Sequence, residues 1–151
     1  MELLTVADLK PTTGRILAVD FGDTRTGLAL SDPGRILASG IGYVSPGGIE
    51  KTANCVAQVA RERGASAIVV GLPRNMDGSE GARADRCRQF AEMLAERLPE
   101  TAVAMIDERL TTVSATRYLN ETNTRGASRK TVIDTLSAQI FLQNALDRLQ
   151  R

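Results

Sequence analysis

The spacing of apolar residues changes character at Pro46-Gly47-Gly48, and this change constrains the fold more than any other feature of the chain. Before it lie three short apolar runs, ILAVD (Ile16–Asp20), TGLALS (Thr26–Ser31) and RILASGIGYV (Arg35–Val44). The linkers between them hold Gly22, Asp23, Asp32, Pro33 and Gly34 and are short. Runs of this length fit strands, and links this short join antiparallel neighbours, so the chain opens with a three-stranded meander. After Gly48 the period becomes helical. Ile49, Ala53, Val56 and Ala60 fall at i, i+4, i+7 and i+11, and Gly64 ends the pattern. AIVVG (Ala67–Gly71) is the fourth predicted strand. Ser79 stands where an N-cap is expected, before a helix whose stripe is Cys87, Phe90, Ala91, Leu94 and Leu98 and whose stop is Pro99. TAVAMID (Thr101–Asp107) is the fifth strand. A helix from about Val113 to Leu119, the loop NETNTRGASR and a long helix beginning near Thr131 complete the chain.

Two successive strand–helix–strand units imply parallel pairing through right-handed crossovers. The second strand occupies one side of the first, so the fourth takes the other side and the predicted order is 3-2-1-4-5. This is an α/β, ribonuclease-H-like arrangement: a five-stranded mixed sheet with flanking helices. In open sheets of this kind the functional crevice lies beyond the carboxyl ends of the strands where the order reverses. Asp20, Gly71-Leu72-Pro73 and Asp107-Glu108 all stand at such ends. At 151 residues the chain has room for one domain. Residues 1–14 show no sustained period and read as an N-terminal extension, which leaves a single domain over residues 15–151.

Composition narrows the chemistry. Apolar residues at 42% and charged residues at 25% are globular values. Histidine is absent, which removes Ser-His-Asp and Cys-His catalysis and His-ligated zinc. Cys55 and Cys87 lack a C-x-x-C pairing and read as reduced, packed on helices. The start has no charged n-region, and no window approaches ~18 uninterrupted apolar residues, so no membrane association and a cytoplasmic location are expected. A net charge of +1 gives no global basic field, so any nucleic-acid signal must be local. Lysine occurs only at Lys10, Lys51 and Lys130, and the remaining basic residues are arginines, which suit bidentate phosphate contacts.

Asp20, Glu108 and Asp134 form the candidate catalytic and metal-binding set. Uncompensated carboxylates repel, but oxygen ligands suit Mg²⁺ or Mn²⁺, and two such ions roughly 3.5–4 Å apart can clamp a phosphodiester during in-line displacement. Such chemistry needs no imidazole. Each acid also has a structural reading. Asp20 fits the start of a turn, Glu108 a cap or ion pair, and Asp134 a T-x-x-D capping box with Thr131. Helical spacing puts Asp134 in one direction with Ala138 and Phe141, amid a largely apolar segment, where an acid is either well paired or functional. Asp23 and Asp107 read as structural.

ILAVDFGDTRTGLALSD, VVGLPRNMDGSEG, DERLTT and TVIDTLSAQIFLQ, in this order and spacing, closely resemble the YqgF/RuvX family of Holliday-junction-resolvase-like proteins. The resemblance spans about Arg15 to Leu146. It implies a ribonuclease-H-like fold and metal-dependent phosphodiester hydrolysis, with members associated with maturation of the 5′ end of 16S ribosomal RNA and some linked to cleavage of branched DNA. By motif, Asp20 matches the first-strand acid, Glu108 the acid of D-E-R-L-T, and Asp134 the acid of the last helix. The fourth strand ends in Gly-Leu-Pro where related junction resolvases place a glutamate, which weighs against junction resolution relative to nuclease activity in general.

Other motif residues admit both roles. Gly22 and Gly27 allow the backbone to bend near the first acid. Arg109 fits a contact to a phosphate oxygen or a pairing with an acid, and Asn75 and Asp77 fit either the crevice wall or a turn. Arg125, Arg129 and Lys130 form a basic flap between Asn120 and Lys130, or an ordinary solvated loop. With Arg109 they are the candidate substrate-binding residues. Only Phe21, Tyr43, Phe90, Tyr118 and Phe141 are aromatic, too few for a stacking platform, so recognition through backbone and shape is expected. The expected partners are precursor ribosomal RNA ahead of branched DNA, and ribosomal particles, with the protein a monomer or homodimer. Three rival functions remain open: a Holliday-junction resolvase, a non-catalytic RNA-binding ribosome-assembly factor, and ATP binding of the actin-like kind.

Overall fold

The computed structural model describes residues 3–75, 77–107 and 126–150, with side chains of the last helix from residue 135 onward. The elements are β1 (Leu4–Thr5), a single 3₁₀ turn (Val6–Leu9), β2 (Arg15–Asp20), β3 (Thr26–Ser31), β4 (Ala38–Val44), α1 (Ile49–Arg63), β5 (Ala65–Leu72), α2 (Ala82–Arg97), β6 (Ala102–Asp107) and α3 (Gly126–Leu149). The sheet has six strands in the order β1-β6-β5-β2-β3-β4. The five predicted strands are β2 to β6 in the predicted order, with β2–β3 and β3–β4 antiparallel and β2–β5 and β5–β6 parallel.

The sheet is buried on both faces, and alternation along each strand assigns the residues. Leu17, Val19, Ile68, Val70, Val103 and Met105 face α1 and α2. Ile16, Ala18, Ala67, Val69, Ala104 and Ile106 face α3 and the N-terminal turn. Side chains that alternate in direction explain why these central strands are apolar throughout: neither face meets water. The α3 layer of the sheet is alanine-rich, which lets the helix approach closely. Gly40 is part of the same approach, since a Cβ there would lie 2.8 Å from Thr135 Oγ1.

Four expectations are corrected. The N-terminal extension is part of the sheet: Leu4 and Thr5 pair in parallel with Ala104 and Met105, and Val6 and Leu9 are buried. A two-residue strand is too short to show a period. The third predicted strand begins at Ala38 rather than Arg35, because Arg35 takes a left-handed conformation (φ 59°) in the Asp32–Leu37 turn. Ser79 is not the N-cap of α2. That place belongs to Gly81, and Ser79 donates its N–H and hydroxyl to Asp77 Oδ1 instead. Finally, α3 begins at Gly126, so Arg129 and Lys130 lie in a helix and not in a loop. Ala127, Arg129 and Lys130 are good helix formers, and they extend the helix ahead of the capping signal at Thr131. The expected helix from Val113 to Leu119 lies outside the described residues.

Candidate active site

Asp20 is the last residue of β2 and is half-buried. It pairs with Gly27 across β3. Its parity is that of Ile16 and Ala18, which puts it on the α3 side of the sheet. On the other side of β2, Val19 pairs with Val70, Gly71 with Ile106 and Leu72 with Asp107, so β2, β5 and β6 end level with one another. Asp107 has the parity of Val103 and Met105 and therefore belongs to the α1–α2 face, across the sheet edge from Asp20. At the end of β5, Leu72 is buried, so an apolar residue occupies the middle of this edge.

Helix α3 is tied to the sheet by polar side chains at four-residue intervals. Thr135 Oγ1 donates to the Leu28 carbonyl (3.0 Å) and accepts from the Gly42 N–H (3.2 Å). Gln139 Nε2 donates to the Ala38 carbonyl (3.3 Å), and Gln143 bonds both the Ala38 N–H (2.9 Å) and the Ile36 carbonyl (2.9 Å). These contacts satisfy backbone groups around β4 and fix the helix in register. Leu28 is the neighbour of Gly27, the cross-strand partner of Asp20, so the anchor at Thr135, the tenth residue of α3, brings that turn of the helix to the carboxyl end of β2. Asp134 is the preceding residue in this helix, and its side chain lies outside the description, as do those of Arg129 and Lys130. Glu108, Arg109 and Arg125 lie wholly outside it. Among the described residues, no group of three His, Cys, Asp or Glu could hold a metal ion.

The turn after Asp20 is tight. Thr26 Oγ1 donates to the Gly22 carbonyl at 3.3 Å, and a Cβ at Gly22 would lie 2.3 Å from the Arg25 carbonyl, so only glycine fits. Phe21 turns into the α1–α2 core and stacks on Phe90 of α2, with ring centroids 4.5 Å apart. This contact draws the start of α2 against the turn. Arg83 Nη2 reaches the Phe21 carbonyl at 3.4 Å, and Arg86 pairs with Asp23 at 3.0 Å. Phe21, Gly22, Asp23, Ala82, Arg83 and Arg86 line an open cavity of about 240 Å³.

The loop after β5 closes on itself. The Asn75 N–H donates to the Ser79 carbonyl (2.9 Å), and Asn75 Nδ2 to Ser79 Oγ (3.0 Å), while Asp77 receives Ser79. Beyond it, Glu80 holds Arg88 through two 2.8 Å bonds, with Arg74 at 3.6 Å. The Arg88 hydrogen bonds keep the Glu80 carboxyl below its ordinary range. Sequence reasoning passed over Arg83 and Arg86. A signal was present: basic residues near a helix start run against the dipole preference for acids there.

The architecture is that of the ribonuclease-H-like resolvases. Thermus thermophilus RuvC, solved in complex with a Holliday junction substrate, superposes with a TM-score of 0.52 at 14% identity, covering 91% of this chain and 96% of that one. The fowlpox virus resolvase, also solved with Holliday junction DNA, gives 0.54 at 10% identity over 87% and 98%. At these identities the likeness is one of fold. The chain belongs to the RuvX family, whose model, described as Holliday junction resolvase, matches residues 14–148. A relative from Rhodopseudomonas palustris (strain BisB5), named "Putative pre-16S rRNA nuclease", is 42% identical over 99% of this chain and 92% of its own length. One of the same name from Ruminiclostridium cellulolyticum is 38% identical over 89% and 95%.

Proposed function

We propose that this chain is a metal-dependent nuclease that hydrolyses phosphodiester bonds in 5′-end maturation of precursor 16S ribosomal RNA. The observation that carries the reading is Asp20. It is a carboxylate at the end of the central strand, on the α3 face, where three parallel strands end level and the Thr135 turn of α3 is anchored. Family membership and the names of full-length relatives support nuclease chemistry and favour the ribosomal substrate. The buried Leu72 at the end of β5 favours RNA processing over junction resolution, because it stands where related junction resolvases carry an acid.

Asp20, Glu108 and Asp134 are the residues proposed to hold Mg²⁺ or Mn²⁺. This donor set is all oxygen, which fits hard divalent cations, and the chain offers no imidazole to favour zinc. Bound divalent ions supply polarisation of the phosphoryl oxygens and of the attacking water. Asp20 contributes a carboxylate fixed by strand pairing, and the Gly22 turn lets the substrate backbone come close to it. Arg109, Arg125, Arg129 and Lys130 are proposed to bind backbone phosphates. Among the described aromatic residues only Tyr43 is exposed, which agrees with recognition through the backbone rather than by base stacking. The chain acts as one nuclease domain, its N-terminal segment paired into the sheet, on a cytoplasmic RNA or ribosomal particle. No helix among the described residues is long and apolar enough to cross a membrane.

The test is cleavage of end-labelled precursor 16S RNA and of a four-way DNA junction, by wild type and Asp20→Asn, with Mg²⁺, Mn²⁺ or EDTA. The reading expects metal-dependent cutting of the RNA that Asp20→Asn abolishes. Cutting of the junction alone assigns the protein to branched DNA. Binding without cutting under any metal assigns it to assembly.

A further inference from the structure

The cavity between the β2–β3 turn and the start of α2 lies outside the proposed carboxylate set. We infer that it is a phosphate subsite, in which Arg83 and Arg86 hold the phosphodiester flanking the bond to be cut. This inference rests on the nuclease reading and extends it to the path of the substrate.

Four observations meet there. The cavity is open to solvent and about 240 Å³ in volume, with room for a phosphodiester group. Two guanidiniums line it, from positions three residues apart and therefore on one face of α2. Its wall includes Phe21 and Gly22, the two residues that follow Asp20, so an anion held here lies at the same strand end as the proposed reacting centre, across the sheet edge on the α1–α2 side. Finally, Arg83 falls in the first turn of α2, where backbone N–H groups and the helix dipole already favour an anion. Cations in this turn repel the helix terminus, which makes them costly to the helix alone and suited to receiving a negative group.

Asp23 accounts for the state without substrate. Its carboxylate pairs with Arg86 at 3.0 Å, and its side chain is 73% exposed. An exposed pair of this kind is weak and exchanges readily. A phosphate, with more oxygens to accept guanidinium hydrogen bonds, displaces the carboxylate. Asp23 then acts as a placeholder that keeps Arg86 positioned and lowers affinity for stray anions.

The experiment measures equilibrium binding of fluorescently labelled precursor 16S RNA in EDTA across a salt series, with cleavage in Mg²⁺ assayed in parallel. The proteins are wild type, Arg83→Gln/Arg86→Gln, Asp23→Asn, and the control Arg63→Gln at the far end of α1. The double variant is expected to bind about tenfold more weakly and to reduce the slope of log affinity against log salt by about 0.7, the single-strand value for one lost phosphate contact. Asp23→Asn is expected to bind about two- to fivefold more tightly, since it frees Arg86 from competition. Arg63→Gln should match wild type. If wild type binds and cuts while the double variant keeps wild-type affinity and slope, the subsite is overturned and the nuclease reading stands. Unchanged or weaker binding by Asp23→Asn likewise overturns the subsite. If wild type neither binds nor cuts the RNA, both readings fall together.

Discussion

The two ends of β2 use arginine in opposite ways. At the Arg15 end, Arg35 is buried, and its guanidinium donates to the Gly14, Leu9 and Thr12 carbonyls and to the hydroxyls of Thr12 and Ser66. These five bonds account for all five of its N–H groups. Every one of these acceptors is neutral, and burial lowers the pKa of the guanidinium. At the Asp20 end, Arg83 and Arg86 are exposed, with one 3.4 Å contact and one surface ion pair between them among the described residues. The first arginine is a structural tie that holds the N-terminal segment to the β3–β4 turn. The other two are held loosely enough to exchange partners. Residue type alone does not separate architecture from binding. The number of donors already occupied does.

The largest effects should separate the two ends cleanly. Asp20→Asn should reduce cleavage by about 10²–10³-fold, equivalent to several kcal/mol at the barrier. It should leave the thermal midpoint unchanged or raised if, as proposed, Asp20 belongs to a set of mutually repelling acids. Arg35→Ala should do the reverse. It leaves the part-buried carbonyls of Thr12 and Gly14 short of a donor, while Leu9 keeps the Thr12 N–H and hydroxyl, and should cost about 3 kcal/mol of stability by denaturant titration, with cleavage retained below the transition. Arg35→Lys recovers part of this only, having three donors in place of five. A variant at either end that lost both properties equally would break the distinction.

Gly22→Ala comes next. The new Cβ must push the Arg25 carbonyl away, which should cost about 1–3 kcal/mol and displace the turn beside Asp20. Stopped-flow or steady-state assays should show a larger fall in kcat than in substrate affinity. The smallest effect concerns Glu80, whose pairing with Arg88 lowers its pKa from the ordinary 4.5. A depressed carboxyl contributes stability that is complete above the ordinary value and is lost as pH falls from 4.5 through the folded value. The pair is solvent-facing, so Glu80→Gln should cost less than about 1 kcal/mol at neutral pH, with the difference from wild type vanishing in acid. A neutral-pH loss as large as that of Arg35→Ala would place Glu80 with the buried ties instead.

The features legible in the sequence were those written in local pattern. The run Thr26–Ser31 is β3 residue for residue, and α1 starts at Ile49 and closes at Gly64, as periodicity and the glycine stop indicate. The strand order followed from connection lengths, and the position of Asp20 at a strand end followed from that order. The remainder depended on tertiary contacts. β1 is recognisable only through its neighbour β6, and Gly81 displaced Ser79 as cap because Ser79 closes the Asn75–Ser79 loop. Arg35, read as the start of a strand, is a buried tie because the N-terminal segment brings carbonyls to it. Arg83 and Arg86 line the site through the Phe21–Phe90 contact, which joins residues far apart in the chain.

The Phe21–Phe90 stack also works as a gauge. One ring belongs to the residue after Asp20, and the other to the helix bearing the two arginines, so the stack, with centroids 4.5 Å apart, ties the strand end to that helix. Successive phosphates along a nucleic-acid strand have a fixed repeat, and an enzyme that grips one while cutting its neighbour must match that length. On the proposed reading, that length depends on this contact in the apolar interior. A change of ring size at Phe90, invisible from the surface and neutral in charge, would retune the measure and with it the choice of bond.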